Sequence, residues 1–448
     1  MSKPTLLPAR RPLGHLATLR RDPLMLFAQA LGAADDAVRM RFATREAWAL
    51  FEPALIKHVL VDHTELFDKG TRGYDTLRLL LGDGLVTSDG DFWLRQRRIA
   101  QPAFHKKSIA RFGDVMAQAA ESLADGWRFL KAPIDVAGAM TRLALRIAGL
   151  TLFGEDLTDE TAEVSRAVDV ALGQFRNRVS SPLPPGLRLP TAGARAFDDA
   201  VSTLDRVVFQ MIADRRAATD PGTDLLGLFM AARDAETGEA MNDRQLRDEL
   251  ITMLLAGHET TANALAWTLL LLAQHPAWAD RLADDLRARL DGRAPTVAEA
   301  LDLPLLDQVF QESLRLYPPV WAVGRRVVEA HRLGPFDVDA GTYIFVSQYA
   351  LHRHPRFWRH PERFDPTRFA PGSDELPEGD RRYAYLPFLR GRRQCIGDQF
   401  ARLESLIILA TLLQRFRFRL VGDRPIAPEA SVTLRPRGGI HVHVQPRR

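Results

Sequence analysis

One long helical stretch, from Asp243 to His275, constrains the fold of this chain more than any other feature. Its apolar segment, residues 250–272, would span about 35 Å as a helix, and Pro276 ends the stretch. A segment of that length can cross either a bilayer or a whole globular molecule. Polar residues at its centre, from Gly257 to Asn263, would be heavily penalised against lipid. We therefore predict a buried central helix in a protein that has no membrane anchor.

The composition is that of an ordinary folded protein and excludes several classes. Of the 448 residues, 46% are hydrophobic, and the 60 Lys and Arg nearly balance the 56 Asp and Glu. A net charge of +4, without a basic run interleaved with aromatic residues, does not indicate nucleic-acid binding. One cysteine excludes an intramolecular disulfide and is typical of a reducing compartment. No signal peptide is evident, so we expect a cytoplasmic protein.

The single cysteine, Cys395, lies in a Gly- and Arg-rich loop before a second long helical stretch, Asp398–Phe416. The start of that helix and the neighbouring guanidinium groups favour a thiolate over a thiol. Glycines let the loop approach a flat group, against which Phe388 could lie. A lone cysteine is more often an inert buried residue, but packing alone gives no reason for three arginines around it. A thiolate ligand to heme iron has these requirements.

Five short motifs occur along the chain: W-x-x-x-R at 93–97, A-G-x-E-T-T at 256–261, E-x-x-R at 312–315, P-x-R-F at 366–369 and F-x-x-G-x-R-x-C-x-G at 388–397. Most have an ordinary explanation when taken singly. An Arg four residues after a Trp suits a surface helix, exposed E-x-x-R pairs are common, and a helical Thr can bond back to its own helix. A glycine and an acid–hydroxyl pair inside a buried helix are locally unfavourable, and such positions tend to be functional.

In this order and spacing the motifs resemble those of the cytochrome P450 superfamily over nearly the full length of the chain. The resemblance implies a mainly α fold with a small β-rich part, in which heme b (iron protoporphyrin IX) lies between the long central helix and the cysteine loop. It also implies one domain over residues 1–448. Because the chain ends soon after its last predicted strands, we expect no fused reductase.

The resemblance assigns most site residues to the cofactor. It makes Cys395 the axial metal ligand, shielded by Phe388. It assigns the propionates to Trp93, Arg97 and Arg393, with Arg325 (less so Arg326) reaching one of them. The remaining cofactor-binding positions are the small residues of the two motifs that face the heme: Ala256, Gly257, Gly391 and Gly397.

The same resemblance assigns the proton chemistry to the central helix. Gly257 leaves room for dioxygen, Thr260 steadies it, and Glu259 with ordered water relays protons. Structural residues would be Glu312 and Arg315, closed by an arginine from one of two P-x-R-F segments. The first, Pro361–Phe364, is the commoner string, but the second is better placed, so we expect Arg368 to make a bidentate contact.

The substrate pocket is expected at Trp321, Ala322 and Val323, together with the central helix, the loop 69–90 and the proline-rich loop 181–190. The expected reaction inserts one atom of O₂ into an apolar small molecule, by hydroxylation or epoxidation, in a monomeric enzyme. Fatty acids, terpenes, macrolides and aromatic compounds all remain open as substrates.

Electrons would come from a ferredoxin or flavodoxin with its reductase. The electron donor would dock on a basic face formed by Arg390, Arg392 and the helix bearing Arg95 and Arg98. Two alternatives keep the heme: a peroxygenase or isomerase, and a sensor or carrier that is not an enzyme. The Glu259–Thr260 pair favours the monooxygenase over the first, and no output domain is evident for the second.

Three local predictions concern the remainder of the chain. Val38–Phe42 and Ala47–Phe51 should form a hairpin that begins a small sheet. The stretch 69–90 is rich in Gly, Asp and Ser and predicts a loop with a short helical piece at most. Near the end, Val432–Arg435 and Ile440–Val444 flank a Pro-Arg-Gly-Gly turn and predict a second hairpin.

Overall fold

The computed structural model describes residues 2–9, 13–34, 36–156, 161–179, 181, 187, 191–220, 222–375 and 377–447. Its helices are α1 (Leu16–Arg21), α2 (Pro23–Leu31), α3 (Pro53–Lys57), α4 (Arg72–Leu81), α5 (Gly90–Ala100), α6 (Lys106–Ala110), α7 (Gly113–Trp127), α8 (Val136–Leu152), α9 (Thr161–Val179), α10 (Ala192–Ala217), α11 (Leu225–Ala231), α12 (Asp243–Gln274), α13 (Pro276–Leu290), α14 (Val297–Ala300), α15 (Pro304–Leu316), α16 (Gln348–Leu351) and α17 (Asp398–Arg415). The strands are β1 (Thr5–Leu6), β2 (Ala37–Phe42), β3 (Arg45–Leu50), β4 (Phe67–Asp68), β5 (Ile134–Asp135), β6 (Val323–Val327), β7 (His331–Leu333), β8 (Phe336–Val338), β9 (Tyr343–Val346), β10 (Phe416–Leu420), β11 (Pro428–Ala430), β12 (Leu434–Pro436) and β13 (His441–Pro446).

The predicted central helix is confirmed as α12, whose 32 residues make it the longest element described. Asn242 and Gln245 form a reciprocal capping box at its start, which satisfies two backbone N–H groups that have no partner in the helix. It packs against α8, α10, α15 and α17, and its apolar side chains belong to the largest core. Nowhere in the described ranges is a helix both long and apolar enough to span a membrane. The fold is mainly helical with small sheets, as predicted.

The largest sheet joins four strands from the first 68 residues with β6 and β9, in the order β1-β2-β3-β9-β6-β4. The predicted hairpin is confirmed, because β2 and β3 pair antiparallel from Ala37–Leu50 to Phe42–Arg45. A three-stranded sheet has the order β10-β13-β5, and β11-β12 and β7-β8 are two-stranded. The sheet carrying β6 therefore brings the chain after Tyr317 to the edge of the helical core.

Two of the local predictions are wrong. Residues 72–81 form the ten-residue helix α4, because Leu80 and Leu81 pack into the main core and outweigh the loop-like composition around them. The terminal hairpin does not form: β12 pairs with β11, whereas β13 pairs with β10 and β5. Gly438 and Gly439, both at positive φ, turn the chain from one sheet into the other instead of closing a hairpin.

Candidate active site

A cavity of about 320 Å³ lies between α12 and the loop that carries Cys395. Side chains from α8, α11 and α12 form an apolar part of its wall, and polar and cationic side chains concentrate near the cysteine. The sequence-predicted residues that line it are Trp93, Arg97, Ala256, Gly257, Thr260, Val323, Arg325, Phe388, Arg393, Cys395 and Gly397. Residues from three of the five motifs, together with Val323 and Arg325, therefore converge on one cavity.

The cysteine loop is held in a fixed shape by its own backbone. The Cys395 N–H donates to the Phe388 carbonyl at 2.9 Å, which closes the loop on itself. Gly391 has φ +81°, and a Cβ there would lie 2.3 Å from the Leu60 carbonyl oxygen. Gly391 does not line the cavity; it lets the loop approach the backbone of residues 58–62. The accessible surface of the Cys395 side chain faces the cavity.

Four cationic side chains gather at this end of the cavity. Within the described residues, only Arg393 pairs with a carboxylate, at 2.5 Å from Asp89, and its guanidinium also lies 4.0 Å from the centre of the Trp93 ring. Arg97 donates to the Gln394 carbonyl at 3.0 Å. Burial lowers the pKa of Arg97 and of Arg393, which shows that both charges are poorly solvated.

The other two cations are Arg325 and Lys69. Arg325 is 5% exposed and donates to the Tyr74 hydroxyl at 3.2 Å, whereas Arg326 pairs with Asp68 outside the cavity. Lys69 is 4% exposed, and its ammonium group donates to the backbone carbonyls of Leu85 and Ser88. Burial, reinforced by the charges of Arg393 and Arg325, lowers the pKa of Lys69 far below its usual value. The sequence analysis missed Lys69 because a lysine in a polar loop resembles any solvated one.

On α12 the two predicted proton-relay residues point in different directions. The Thr260 hydroxyl lies at the cavity wall and donates to the Ala256 carbonyl at 2.6 Å. Glu259 is not part of that wall; its Oε1 accepts hydrogen bonds from Thr433 at 2.8 Å and from Arg435 Nε at 2.6 Å. A Cβ on Gly257 would meet no atom within 4 Å, so this face of the helix borders open space.

Comparison with known families decides the assignment. A family model described as "Cytochrome P450" matches residues 3–443, nearly the whole chain.

The chain belongs to the cytochrome P450 family.

Its relatives include enzymes named for oxygenation. Cyclooctatin synthase of Streptomyces melanosporofaciens is 36% identical over 436 residues, which cover 96% of this chain and 93% of the relative. Cyclooctat-9-en-7-ol 5-monooxygenase of the same organism is 36% identical, with coverages of 91% and 88%. Pentalenene oxygenase of Streptomyces avermitilis is 33% identical, with coverages of 94% and 92%. The predicted activity is confirmed: the protein is a P450 monooxygenase, which uses O₂, an organic substrate and redox partners.

The residues of this P450 fit a heme. The prosthetic group needs a sulfur ligand on one face and cations for its two propionates. The cavity offers the Cys395 side chain, and it buries Arg97, Arg325 and Lys69 without a carboxylate partner among the described residues. Burying cations without counter-ions is unfavourable, so an anionic group belongs beside them. The chemistry of this donor set therefore matches the cofactor that the family implies.

Burial opposes the thiolate that the loop and its arginines were expected to favour. Burial raises the pKa of the Cys395 thiol to about 11, although the Gly397 backbone N–H and the charge of Arg97 act in the opposite direction. Desolvation therefore acts against the helix N-terminus and the arginines at this sulfur. A thiolate at this position needs the cation that it would bind, since a coordinating metal deprotonates a thiol.

Behind the cysteine loop lies a fully buried ion-pair network. Arg315 makes the bidentate contact with Glu312, at 2.6 and 2.9 Å, and also donates to the carbonyls of His352, Pro361 and Arg363. Arg368 approaches Glu312 at 3.4 Å without a hydrogen bond, and pairs instead with Glu375.

Of the two candidate P-x-R-F arginines, the structure therefore places Arg368 beside Glu312, while the Arg363 side chain is 70% exposed. Arg368 thus contacts Glu312 as an ion pair at 3.4 Å, and the expected bidentate contact is made by Arg315 instead.

The predicted substrate contacts are only partly correct. Val323 lines the cavity, but Trp321 and Ala322 pack into the small core around α2. The Trp321 indole N–H donates to the Ser431 carbonyl at 2.9 Å, which fixes the ring away from the cavity. Leu85 and Val86 of the stretch 69–90 and Met253 of the central helix also line the cavity. The apolar wall from α8 and α11, with Ala148, Leu152 and Leu225, was not predicted from the sequence. The predicted loop 181–190 lies outside the described residues, apart from Ser181 and Leu187.

Proposed function

We propose that this monooxygenase oxidises a cyclic, terpene-like hydrocarbon, or an alcohol derived from one, in a single domain that binds heme b. The observation that carries this proposal is the apolar wall that α8, α11 and α12 supply, with Ala148, Leu152, Leu225 and Met253 among its residues. The cations of the cavity gather at the cysteine end, where a heme would neutralise them. A fatty acid would need another cation for its carboxylate. The names of two relatives, which specify pentalenene and cyclooctat-9-en-7-ol, support the same class.

The chain's own residues prepare the site for this chemistry. When bound, the heme supplies the activation of O₂ and the insertion of one oxygen atom into the substrate. Cys395 would bind the heme iron through its sulfur, which Phe388 would shield. Arg97, Arg325, Arg393 and Lys69 would hold the propionates by charge-assisted hydrogen bonds. Two of the distances that support these roles are the 3.0 Å contact from Arg97 to the cysteine loop and the 4.0 Å contact from Arg393 to the Trp93 ring.

On the opposite side of the cavity, α12 supplies space and a polar atom. Gly257 has no side chain to fill the wall, and Ala256 has only a methyl group, so small reactants can approach the helix. The Thr260 hydroxyl donates its hydrogen bond to the Ala256 carbonyl, so the hydroxyl oxygen can accept a hydrogen bond from a reactant. The apolar residues of α8 and α12 exclude bulk water and orient the substrate by shape.

Electrons reach the protein one at a time from a separate ferredoxin or flavodoxin, in the cytoplasm, and the enzyme acts as a monomer. Arg95 pairs with Glu239, and Arg98 pairs with Asp234 and Glu236. Both arginines therefore contribute less to docking than the sequence suggested. Exposed cations remain on the same side of the molecule: Lys106, Lys107, Arg111 and Arg392. The segment that carries the first three packs against the start of α17 through Phe112 and Phe400, close to the cysteine loop.

Substrate-binding spectra of the purified holoprotein test the substrate class. We expect pentalenene and a cyclic terpene alcohol to perturb the heme absorption at micromolar concentrations, and a linear fatty acid of similar carbon number not to do so. With a ferredoxin, its reductase and NADPH, the cyclic compounds should each gain one oxygen atom by mass spectrometry. Tighter binding of the fatty acid than of every cyclic compound would contradict the proposal.

Extraction of the pigment into acidified organic solvent tests for heme b. Heme b is not covalently attached to the protein, so the solvent should remove it.

A further inference from the structure

Asp89 occupies the N-cap position of α5 but does not cap the helix. Its backbone is extended, with φ −137°, as N-cap residues usually are, yet its side chain makes no hydrogen bond to the first turn. An Asp at this position normally accepts a hydrogen bond from one of the free N–H groups at the start of the helix. The carboxylate of Asp89 is therefore used for something other than the stabilisation of α5.

The carboxylate of Asp89 contacts two residues that line the cavity, Arg393 and Lys69. The Arg393 guanidinium donates to Asp89 Oδ1 at 2.5 Å, and the backbone N–H of Lys69 donates to Oδ2 at 2.7 Å. The adjacent Ser88 carbonyl accepts from Arg393 at 3.0 Å and from the Lys69 ammonium group at 3.1 Å. Two successive residues thus receive four hydrogen bonds from Arg393 and Lys69, which fixes where both cations lie.

The charge of Asp89 also enters the charge balance of the heme site. Four cations line the cavity: Arg97, Arg325, Lys69 and Arg393. The two propionates of a bound heme would bring two negative charges to them. Among the described residues, Asp89 is the one carboxylate that forms an ion pair with any of these cations, and it lies outside the cavity wall. Its carboxylate therefore competes with a propionate for the same guanidinium.

We propose that Asp89 sets the reduction potential of the heme, because it holds Arg393 back from full pairing with a propionate. One electron from the redox partner converts ferric to ferrous heme, and the net charge of the site falls by one. A carboxylate beside the site opposes that change, and a guanidinium shared between two anions compensates less of it. Asp89 therefore keeps the potential low. The inference rests on the bound heme of the proposed function and not on the substrate class.

The reduction potential of the substrate-free holoenzyme, measured by spectroelectrochemical titration, tests this inference. We expect Asp89→Asn to make the potential more positive, so that the equilibrium constant for reduction rises by about tenfold, or about 59 mV for one electron. Asp91→Asn removes the same charge from an exposed position two residues later and is the matched control. It should change the constant by less than about twofold, because solvent screens that carboxylate. Asp89→Glu keeps the charge and should stay closer to the wild type than to Asp89→Asn.

A double-mutant cycle with Arg393→Gln tests whether Asp89 acts through Arg393. In that background Asp89 has no guanidinium to hold, so Asp89→Asn should shift the potential by less than about half as much as in the wild type. The carbon monoxide spectrum of each variant checks that its heme site has formed. If Arg393→Gln does not bind heme, the comparison of Asp89→Asn with Asp91→Asn and Asp89→Glu decides alone.

The outcomes separate this inference from the proposed function. An unchanged or more negative potential in Asp89→Asn, or an equal shift in Asp91→Asn, overturns the inference. An undiminished shift in the Arg393→Gln background does the same. A wild-type protein that binds no heme contradicts the proposed function instead.

Discussion

Glu259 of α12 and Arg435 of β12 form an ion pair, in which the Arg435 Nε donates to Glu259 Oε1 at 2.6 Å. The two residues are separated by 176 positions in the sequence, and the Thr433 hydroxyl donates to the same oxygen at 2.8 Å. The contact ties the central helix to the sheet of β11 and β12. It also turns the acid of the A-G-x-E-T-T motif away from the cavity, so that Glu259 stabilises the fold around the site.

Loss of Arg435 should therefore destabilise the protein. Arg435→Met leaves a buried carboxylate with one hydrogen bond fewer, and we expect the free energy of unfolding to fall by about 1–2 kcal/mol. Arg437→Met, at an exposed position two residues later, is the matched control and should change it by less than about 0.5 kcal/mol. Urea unfolding of the three proteins measures both effects. Equal stability of the two variants would show that the pair contributes nothing.

Removal of Glu312 should have a much larger effect. The Arg315 and Glu312 side chains are both fully buried, and Glu312→Ala leaves the guanidinium without its carboxylate. We expect a loss of about 3–5 kcal/mol in the free energy of unfolding. Arg363→Ala, in the alternative P-x-R-F segment, has a 70% exposed side chain and should stay within about 0.5 kcal/mol. Denaturant unfolding distinguishes the two, and a comparable loss in both would contradict the choice of segment.

Gly391 and Gly372 provide a matched pair for the cysteine loop. Both have φ near +80°, so Ala at either position should cost about 1–2 kcal/mol in backbone strain. At Gly391 the added Cβ would also lie 2.3 Å from the Leu60 carbonyl oxygen, whereas at Gly372 it would meet nothing within 4 Å. We expect Gly391→Ala to lose most of its bound heme and Gly372→Ala to keep it. Heme content per protein measures this, and full occupancy in both variants would contradict it.

Glu249 should make stability depend on pH. Burial raises its pKa from 4.5 to about 8, so between these values the folded protein holds a proton that the unfolded chain has released. The folded state then binds more protons, and the free energy of unfolding falls as the pH rises.

Glu249→Gln should reduce the difference in stability between pH 5 and pH 8 by about 1–4 kcal/mol. Part of the difference should remain, because Glu404 has a pKa near 8 as well. Measurement of the free energy of unfolding at pH 5 and at pH 8, for both proteins, gives this difference. A variant that loses as much stability as the wild type between pH 5 and pH 8 would show that Glu249 titrates normally.

The sequence predicted the parts of the site that local motifs encode. The resemblance of the motifs to those of a known family placed Cys395, Arg97, Arg393 and Thr260 at one cavity, and α12 followed from its apolar length. It did not predict the direction of Glu259, because that depends on Arg435 from a distant strand.

Other errors have similar causes. Trp321 is turned away by the Ser431 carbonyl, and the terminal hairpin is lost because β13 finds better partners in β10 and β5. The burial of Lys69 at the cavity depends on the tertiary fold, so no local sequence pattern predicts it.

The account depends on a bond between the Cys395 sulfur and heme iron, and the carbon monoxide spectrum of the reduced protein tests this most directly. We predict the strongly red-shifted absorption band of thiolate ligation in the wild type and its replacement by an unshifted band in Cys395→Ser. A wild-type protein that binds heme without the shifted band, or a Cys395→Ser variant that retains it, would contradict the central claim.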